Sequence, residues 1–279
     1  QVGKAKEAMK PMLGPVERVL GINPDTIRCL MCPAAVLAAN GQVQAARQVV
    51  GHVTNLLLPS KQESTTRVAW LMLRIVCSFW AAEWSETMQL AQESIEGVRK
   101  TGQTVYVYVL LDYLAWAQSY YGMHAQALNS RAQAAELRRS FGRTFGDDLF
   151  QAAEADILLN AGRSQEALAK ARSLSAGSKE AGLLMSYSIV ERVWGCALWQ
   201  QEGSRSEAEE HLATSLEICN QTEQVTNAIL TELWWGRMLH KGGHQAAAQK
   251  HFEQAFKRLE AGGYEKGIAW ACRFAQDQA

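Results

Sequence analysis

Proline is scarce in this chain, 5 in 279 residues. So few helix breakers suit a mostly helical backbone. An excess of one charge is also missing. Lys plus Arg and Asp plus Glu number 28 each, for a formal net charge of zero. That argues against a broad electrostatic footprint for nucleic acid or an anionic membrane. No apolar run is long enough to cross a bilayer. The most apolar stretch, Val68–Trp80, is too short and holds Arg74. Gln1–Lys10 lacks the basic and then apolar pattern of a signal peptide. The chain begins without Met and reads as a piece of a longer, cytoplasmic protein.

Motifs that carry chemistry are missing as well. Neither GxxxxGK[ST] nor GxSxG occurs. Glu207, Glu209 and Glu210 read as one solvated helix face, not as an acid–base pair. Cys29 and Cys32 form a lone CxxC with no second ligand pair, followed at once by Pro33. Two helix thiols are the plainer reading. The six cysteines are scattered through apolar helical contexts, as buried thiols of a reduced protein would be. His240 and His244 are parted by Gly242 and Gly243, so they do not share a helix face. The expectation is a protein that is not an enzyme and holds no metal and no cofactor.

What is present is a repeat. Small residues recur at Gly41, Ala82, Gly122, Gly162, Gly203 and Gly243, at steps of 40 or 41. Five residues after each stand Ala46, Thr87, Ala127, Ala167, Ala208 and Ala248. Seven before stand Ala34, Ile75, Ala115, Ala155, Cys196 and Gly236. Two antiparallel helices approach closely only where side chains are small, and glycine supplies the left-handed backbone that ends a helix. The segments Gln42–Leu57, Met88–Lys100, Ala125–Ser140, Ser164–Ser175, Ser206–Asn220 and Gln245–Ala261 carry the apolar period of amphipathic second helices. Ala34–Asn40, Val68–Ala82, Val105–Tyr121, Leu149–Ala161, Leu183–Gln201 and Thr226–Lys241 are more apolar all round and read as enclosed first helices. Thr104–Leu111 has strong strand propensity, but its place in the register predicts helix.

The fold expected is all-α, one domain of six stacked helix pairs over 25–60, 64–101, 104–141, 146–176, 180–221 and 224–262. Val2–Met12 reads as a leading helix and Tyr264–Asp277 as a closing one that covers the last repeat. Leu57–Lys61 and Phe141–Asp147 read as loops.

The run Ala197–Gly203 followed by Ala208, Leu212 and Leu216 resembles the tetratricopeptide repeat. So does Gly236–Leu239 followed by Gly243, Ala248, Phe252 and Ala255. The longer period of about 40 is similar to the helical sensor region of the bacterial maltose-regulon activator and of related signalling ATPases, kinases and nucleotide cyclases. The resemblance covers roughly residues 25–262. It implies a right-handed superhelix that works by binding, inside a larger regulatory protein, with the first helices lining a concave groove. Carried over, the groove positions include Arg28 and Met31 from repeat 1, and Met72, Phe79 and Trp80 from repeat 2. Asp112, Trp116, Ser119 and Tyr120 come from repeat 3, Asp156 and Asn160 from repeat 4, Gln200 and Gln201 from repeat 5. Arg237, His240 and Lys241 come from repeat 6. Aromatic and polar groups in a concavity suit a peptide or a small polar effector. A lone aromatic at helical spacing is more often core than platform. An open groove along the inner face would mean a peptide. A closed pocket near Asp112, Trp116 and Asp156 would mean a small molecule. Partners expected are therefore a protein or peptide, another domain of the parent protein, or a small effector, without direct nucleic acid or membrane contact.

Arg192 and Glu232 fall at one repeat position, one unit apart, beside Gln151. A buried charge needs a partner, so an ion pair between repeats is expected there. Arg74 and Glu154 raise the same question.

Overall fold

The computed structural model describes residues 24–57, 64–101, 106–142, 147–201 and 205–276. Among them are thirteen helices and no strand. They form six antiparallel pairs: α1 (Pro24–Ala39) with α2 (Val43–Leu57), α3 (Ser64–Trp80) with α4 (Trp84–Thr101), α5 (Val107–Tyr120) with α6 (His124–Phe141), α7 (Asp147–Asn160) with α8 (Ser164–Glu180), α9 (Leu184–Gln200) with α10 (Arg205–Thr222), and α11 (Val225–Lys241) with α12 (Gln245–Gly262). A final helix, α13 (Glu265–Gln276), follows. The expected leading helix over Val2–Met12 lies outside the described residues, as do 58–61 and 143–146 of the two expected loops. No described helix is long and apolar enough to cross a membrane.

Five of the six pairs are closed by the same backbone device within the described residues. At the first turn Gly41 N–H donates to Ala38 O and Gln42 N–H to Leu37 O. These are the crossed bonds of a Schellman cap, which put the turn residue in the left-handed region. Gly122, Gly162 and Gly243 repeat it at φ 89, 74 and 78°. Ala82 adopts it without being glycine, at φ 57°. The same cap also joins one pair to the next, at Gly182 and at Glu223 (φ 59°), and joins the last pair to α13 at Gly263. Beyond each turn within a pair, Ala46, Thr87, Ala127, Ala167, Ala208 and Ala248 are at most 1% exposed. Thr87 replaces alanine without loss because its hydroxyl bonds Ser78 Oγ at 2.9 Å and Glu83 O at 3.1 Å.

α5 answers the question of strand propensity. All of Val107–Tyr120 is buried between flanking helices, so tertiary enclosure decides the conformation. α8 runs five residues past the expected Ser175, to Glu180, because the Gly182 cap and not Gly177 ends it.

Repeat 5 holds a one-residue insertion that the sequence spacing conceals. Three residues lie between the helices of every other pair, for example 161–163, and four between α9 and α10, 201–204. The small residue at the close approach is therefore Gly195, not Cys196. A Cβ on Gly195 would lie 2.6 Å from Ala208 O, as one on Gly236 would lie 2.7 Å from Phe252. The same slip removes the expected Arg192–Glu232 pair. Glu232 is equivalent to Glu191, and each bonds the histidine of its own second helix. Glu191 meets His211 at 2.6 Å and Glu232 meets His251 at 2.5 Å. Each histidine also stacks on a tryptophan, Trp194 or Trp235. Of the two other charges, Arg74 meets Glu86 at 3.4 Å. Glu154 meets Arg131 at 2.9 Å and Lys170 at 3.1 Å.

The stack coils back on itself, which no local pattern announces. Thr226, near the start of α11, donates to Trp80 O at 2.7 Å and shares a 2.8 Å bond with Tyr264. Tyr264 donates in turn to Ala38 O at 3.1 Å. A Cβ on Gly41 would lie 3.1 Å from Val225. α13 turns inward against repeats 2 and 3. Lys266 reaches Glu86 at 2.5 Å, and Trp270 Nε1 donates to Tyr120 O at 2.8 Å. The expected hollow, open along the inner face, is thus occupied by α13 at its N-terminal end. Apolar residues Trp270, Ala271 and Phe274, with Gly267, form the helical stripe that docks it.

Candidate ligand-binding site

The coil leaves a cavity of about 740 Å³. It sits where the last turns of the first helices converge. The last residue of the first helix comes from four successive repeats: Tyr120 of α5, Asn160 of α7, Gln200 of α9 and Lys241 of α11. The wall is completed by Ser119, Tyr121 and His124, by Trp234 and Arg237 of α11, and by Trp270, Arg273 and Phe274 of α13. Tyr121, at the mouth, is 48% exposed. No carboxylate lines the cavity among the described residues. The Arg237 guanidinium lies over the Trp234 ring at 5.2 Å and the Phe274 ring at 4.7 Å. Such cation–π placement fixes a charge that would otherwise move with its side chain. Burial and then the Arg237 charge lower the pKa of His124, and burial and then Arg237 lower that of Lys241.

Beneath the cavity lies a buried network that ties repeats 3, 4 and 5. Asp156 Oδ2 accepts from Trp116 Nε1 at 2.8 Å, Tyr120 OH at 2.5 Å and Arg192 Nη2 at 3.1 Å. Asp156 and Arg192 are both fully buried. Burial opposes charge on Arg192, yet the Asp156 carboxylate, together with Tyr120 and the buried thiols of Cys196 and Cys219, more than offsets it and holds the guanidinium above its ordinary pKa. Burial pushes the Tyr120 phenol well above its usual range. Arg192 therefore has Asp156 as its counter-ion, not Glu232. The network holds Tyr120 so that its ring edge meets Trp270, with centroids 5.6 Å apart.

The groove residues expected from sequence divide five ways. Tyr120, Asn160, Gln200, Arg237 and Lys241 line the cavity. Phe79, Trp80 and Trp116 do not. They are 1, 3 and 0% exposed and pack edge-on or tilted among themselves with Trp84 and Tyr113. They fill the space that α13 and α11 close. Asp156 lies in the network below. Asp112 faces the other way, toward α6, where it pairs with Arg131 at 2.9 Å and with Arg138. Burial raises the Asp112 pKa to about 6 against the pull of both arginines. His240 borders a separate depression with Gln245, Gln249 and Phe252 of α12. Of the thiols, Cys29 and Cys32 are exposed, not tucked into the helix pair, while Cys77, Cys196 and Cys219 are buried.

Sequence reasoning missed Trp270, Arg273 and Phe274. The legible signal was the aromatic and apolar stripe of α13, stronger than a helix needs merely to cover a repeat end.

No family model matches the chain, and no curated protein matches it. Solved structures do. The structure of NprR in complex with its cognate peptide NprX superposes with a TM-score of 0.65 and 14% identity, over 98% of this chain and 79% of that one. The structure of Rap protein complexed with competence and sporulation factor gives 0.61 and 11%, over 89% and 69%. Both share its fold, a tetratricopeptide-like helical repeat array.

Proposed function

We propose that this chain is a non-enzymatic regulatory module that binds a short peptide in the cavity between α5, α7, α9, α11 and α13. The observation that carries the reading is convergence: one polar side chain from each of four successive repeats faces one cavity, with an exposed tyrosine at its mouth. NprR is described with a cognate peptide bound, and its superposition spans nearly all of this chain. In this reading α13 is both wall and cover, and ligand binding changes how tightly it docks. The chain would act in the cytoplasm as part of a larger regulator. The period of about 40 keeps the maltose-activator type of sensor within the proposal. A small effector is the second reading, favoured by the volume, since 740 Å³ falls in the range of small-ligand sites, and by α13, which fills part of the groove that a peptide would need open.

Panning a random hexapeptide library against the chain tests the reading. Binders should enrich, and Tyr121→Ala should weaken them about tenfold or more, as loss of an aromatic anchor does. Val36→Ser, on exposed α1 surface, should leave affinity unchanged. No enrichment, or equal binding by wild type and Tyr121→Ala, would refute it.

A further inference from the structure

Free cysteine is among the most buried of residue types, and Cys77, Cys196 and Cys219 follow that rule. Burial pushes the Cys77 thiol pKa up to about 12 and that of Cys219 up to about 11, and it raises that of Cys196 as well. Cys29 and Cys32 break the rule. Both are exposed on α1, whose buried stripe is Ile27, Leu30, Ala34 and Leu37. Residues three apart share a helix face, so the two thiols reach solvent side by side. Helix geometry sets their Cα atoms about 5 Å apart, within the span of a disulfide. Their Cβ atoms, about 5–6 Å apart in a regular helix, are about 1 Å too far for one. The turn must tighten to close the bridge, and Pro33 leaves it free to do so. Pro33 lies inside α1 and has no N–H to give Cys29 O, so the helical bond that would resist tightening is missing. Beyond Pro33 the helix is anchored, since Ala34, Leu37 and Ala38 are buried and Ala38 O accepts from Tyr264 at 3.1 Å. Before it, Arg28 Nη2 donates to Tyr106 OH at 2.7 Å. Arg28 adjoins Cys29, so a tightened turn acts on this link between α1 and the start of α5.

We propose that Cys29 and Cys32 are a redox-active dithiol, a site of thiol–disulfide exchange with a low-molecular-weight disulfide of the glutathione type. One cysteine thiolate attacks a sulfur of the small disulfide, forms a mixed disulfide and releases one small thiol. The other attacks the protein sulfur of the mixed disulfide and releases the second small thiol. Two protein thiols are thereby oxidised to one disulfide, and the small disulfide is reduced to two thiols. The two protons pass from the cysteines to the released thiolates. The bridged turn draws Arg28 away from Tyr106, whatever the cavity binds.

The reduced chain is equilibrated in glutathione and glutathione disulfide buffers, quenched with iodoacetamide, cut with trypsin and mapped by mass spectrometry. Cleavage after Arg28 and Arg47 leaves both thiols in one peptide. The expected product is the 29–47 peptide two hydrogens lighter and unlabelled, which takes two labels once it has been reduced. Cys77, Cys196 and Cys219 should label only after unfolding. Cys32→Ser should stop at a glutathione adduct on Cys29. Pro33→Ala restores the helical bond and should shift the equilibrium about tenfold toward the thiols, the worth of one hydrogen bond. Hydrogen exchange at 25–32 should quicken in the oxidised wild type and not in Cys29→Ser/Cys32→Ser under the same buffer. Separate glutathione adducts on the two wild-type cysteines, a disulfide between two chains, or no oxidation overturns the proposal. An equilibrium unmoved by Pro33→Ala overturns the role given to Pro33.

Discussion

Replacing Arg192 by Met tests the buried network and the repeat register at once. Arg192 and Asp156 are each fully buried, 3.1 Å apart. At an effective dielectric of about 20 that distance corresponds to roughly 5 kcal/mol of attraction. Removing the guanidinium leaves Asp156 with two neutral donors, Trp116 and Tyr120. Breaking a buried pair by deleting one partner costs about 3–5 kcal/mol. For a chain of this size that is a fall in Tm of roughly 10 °C. Adding Asp156→Asn removes the stranded charge and keeps an acceptor, so the double variant should recover at least about 2 kcal/mol of coupling. Glu232→Gln is the control. It loses only a partly buried histidine contact and should show no coupling to Arg192. Urea denaturation followed by circular dichroism gives all four corners of the cycle. The reasoning is refuted if Arg192→Met costs less than about 1 kcal/mol, or if the coupling appears with Glu232 instead of Asp156.

Gly195→Ala should cost about 2 kcal/mol, since its new methyl meets the Ala208 carbonyl at 2.6 Å, whereas Gly177→Ala, with nothing within 4 Å, should be neutral or slightly stabilising. Thermal melts that rank them the other way contradict the corrected register. The link between α13 and α4 should fail at both ends of the pH scale. Burial opposes charge on Glu86, but the bonds and charges of Lys266 and Arg74 together outweigh this and lower its pKa below 4.5, so that stabilisation is present above about pH 4.5 and lost as pH falls through the lowered value. The Glu86 bond raises Lys266 above 10.5, so its share is present below that pH and lost as pH rises through the raised value. The protection of α13 amides relative to their intrinsic exchange should therefore be greatest between the two, and Lys266→Gln should flatten the profile.

The helix pairs were readable because each rests on a local rule repeated six times. Gly41, Gly122 and Gly162 announce a left-handed cap, and Ala127 or Ala167 five residues later marks a close helix approach. The rule misled where it met an insertion. Gly203 lies one residue past the position that Gly162 and Gly243 predict, so Cys196 and Arg192 were aligned one place off. What no local pattern encodes is closure. Thr226 meeting Trp80, and Trp270 meeting Tyr120, join residues well over a hundred positions apart, and they turn Phe79, Trp80 and Trp116 from expected groove floor into core. Half of the cavity was still legible, because Tyr120, Asn160, Gln200 and Lys241 share one place in the repeat. The half supplied by α13 was not, since that helix belongs to no repeat.

Hydrogen exchange with and without a panned peptide tests the ligand site most directly. The account predicts added protection at 119–124, 159–162, 234–241 and 270–274 and around Gln200, the segments that line the cavity. Protection confined to outer helices such as α8 or α10, with α13 unchanged, would contradict it.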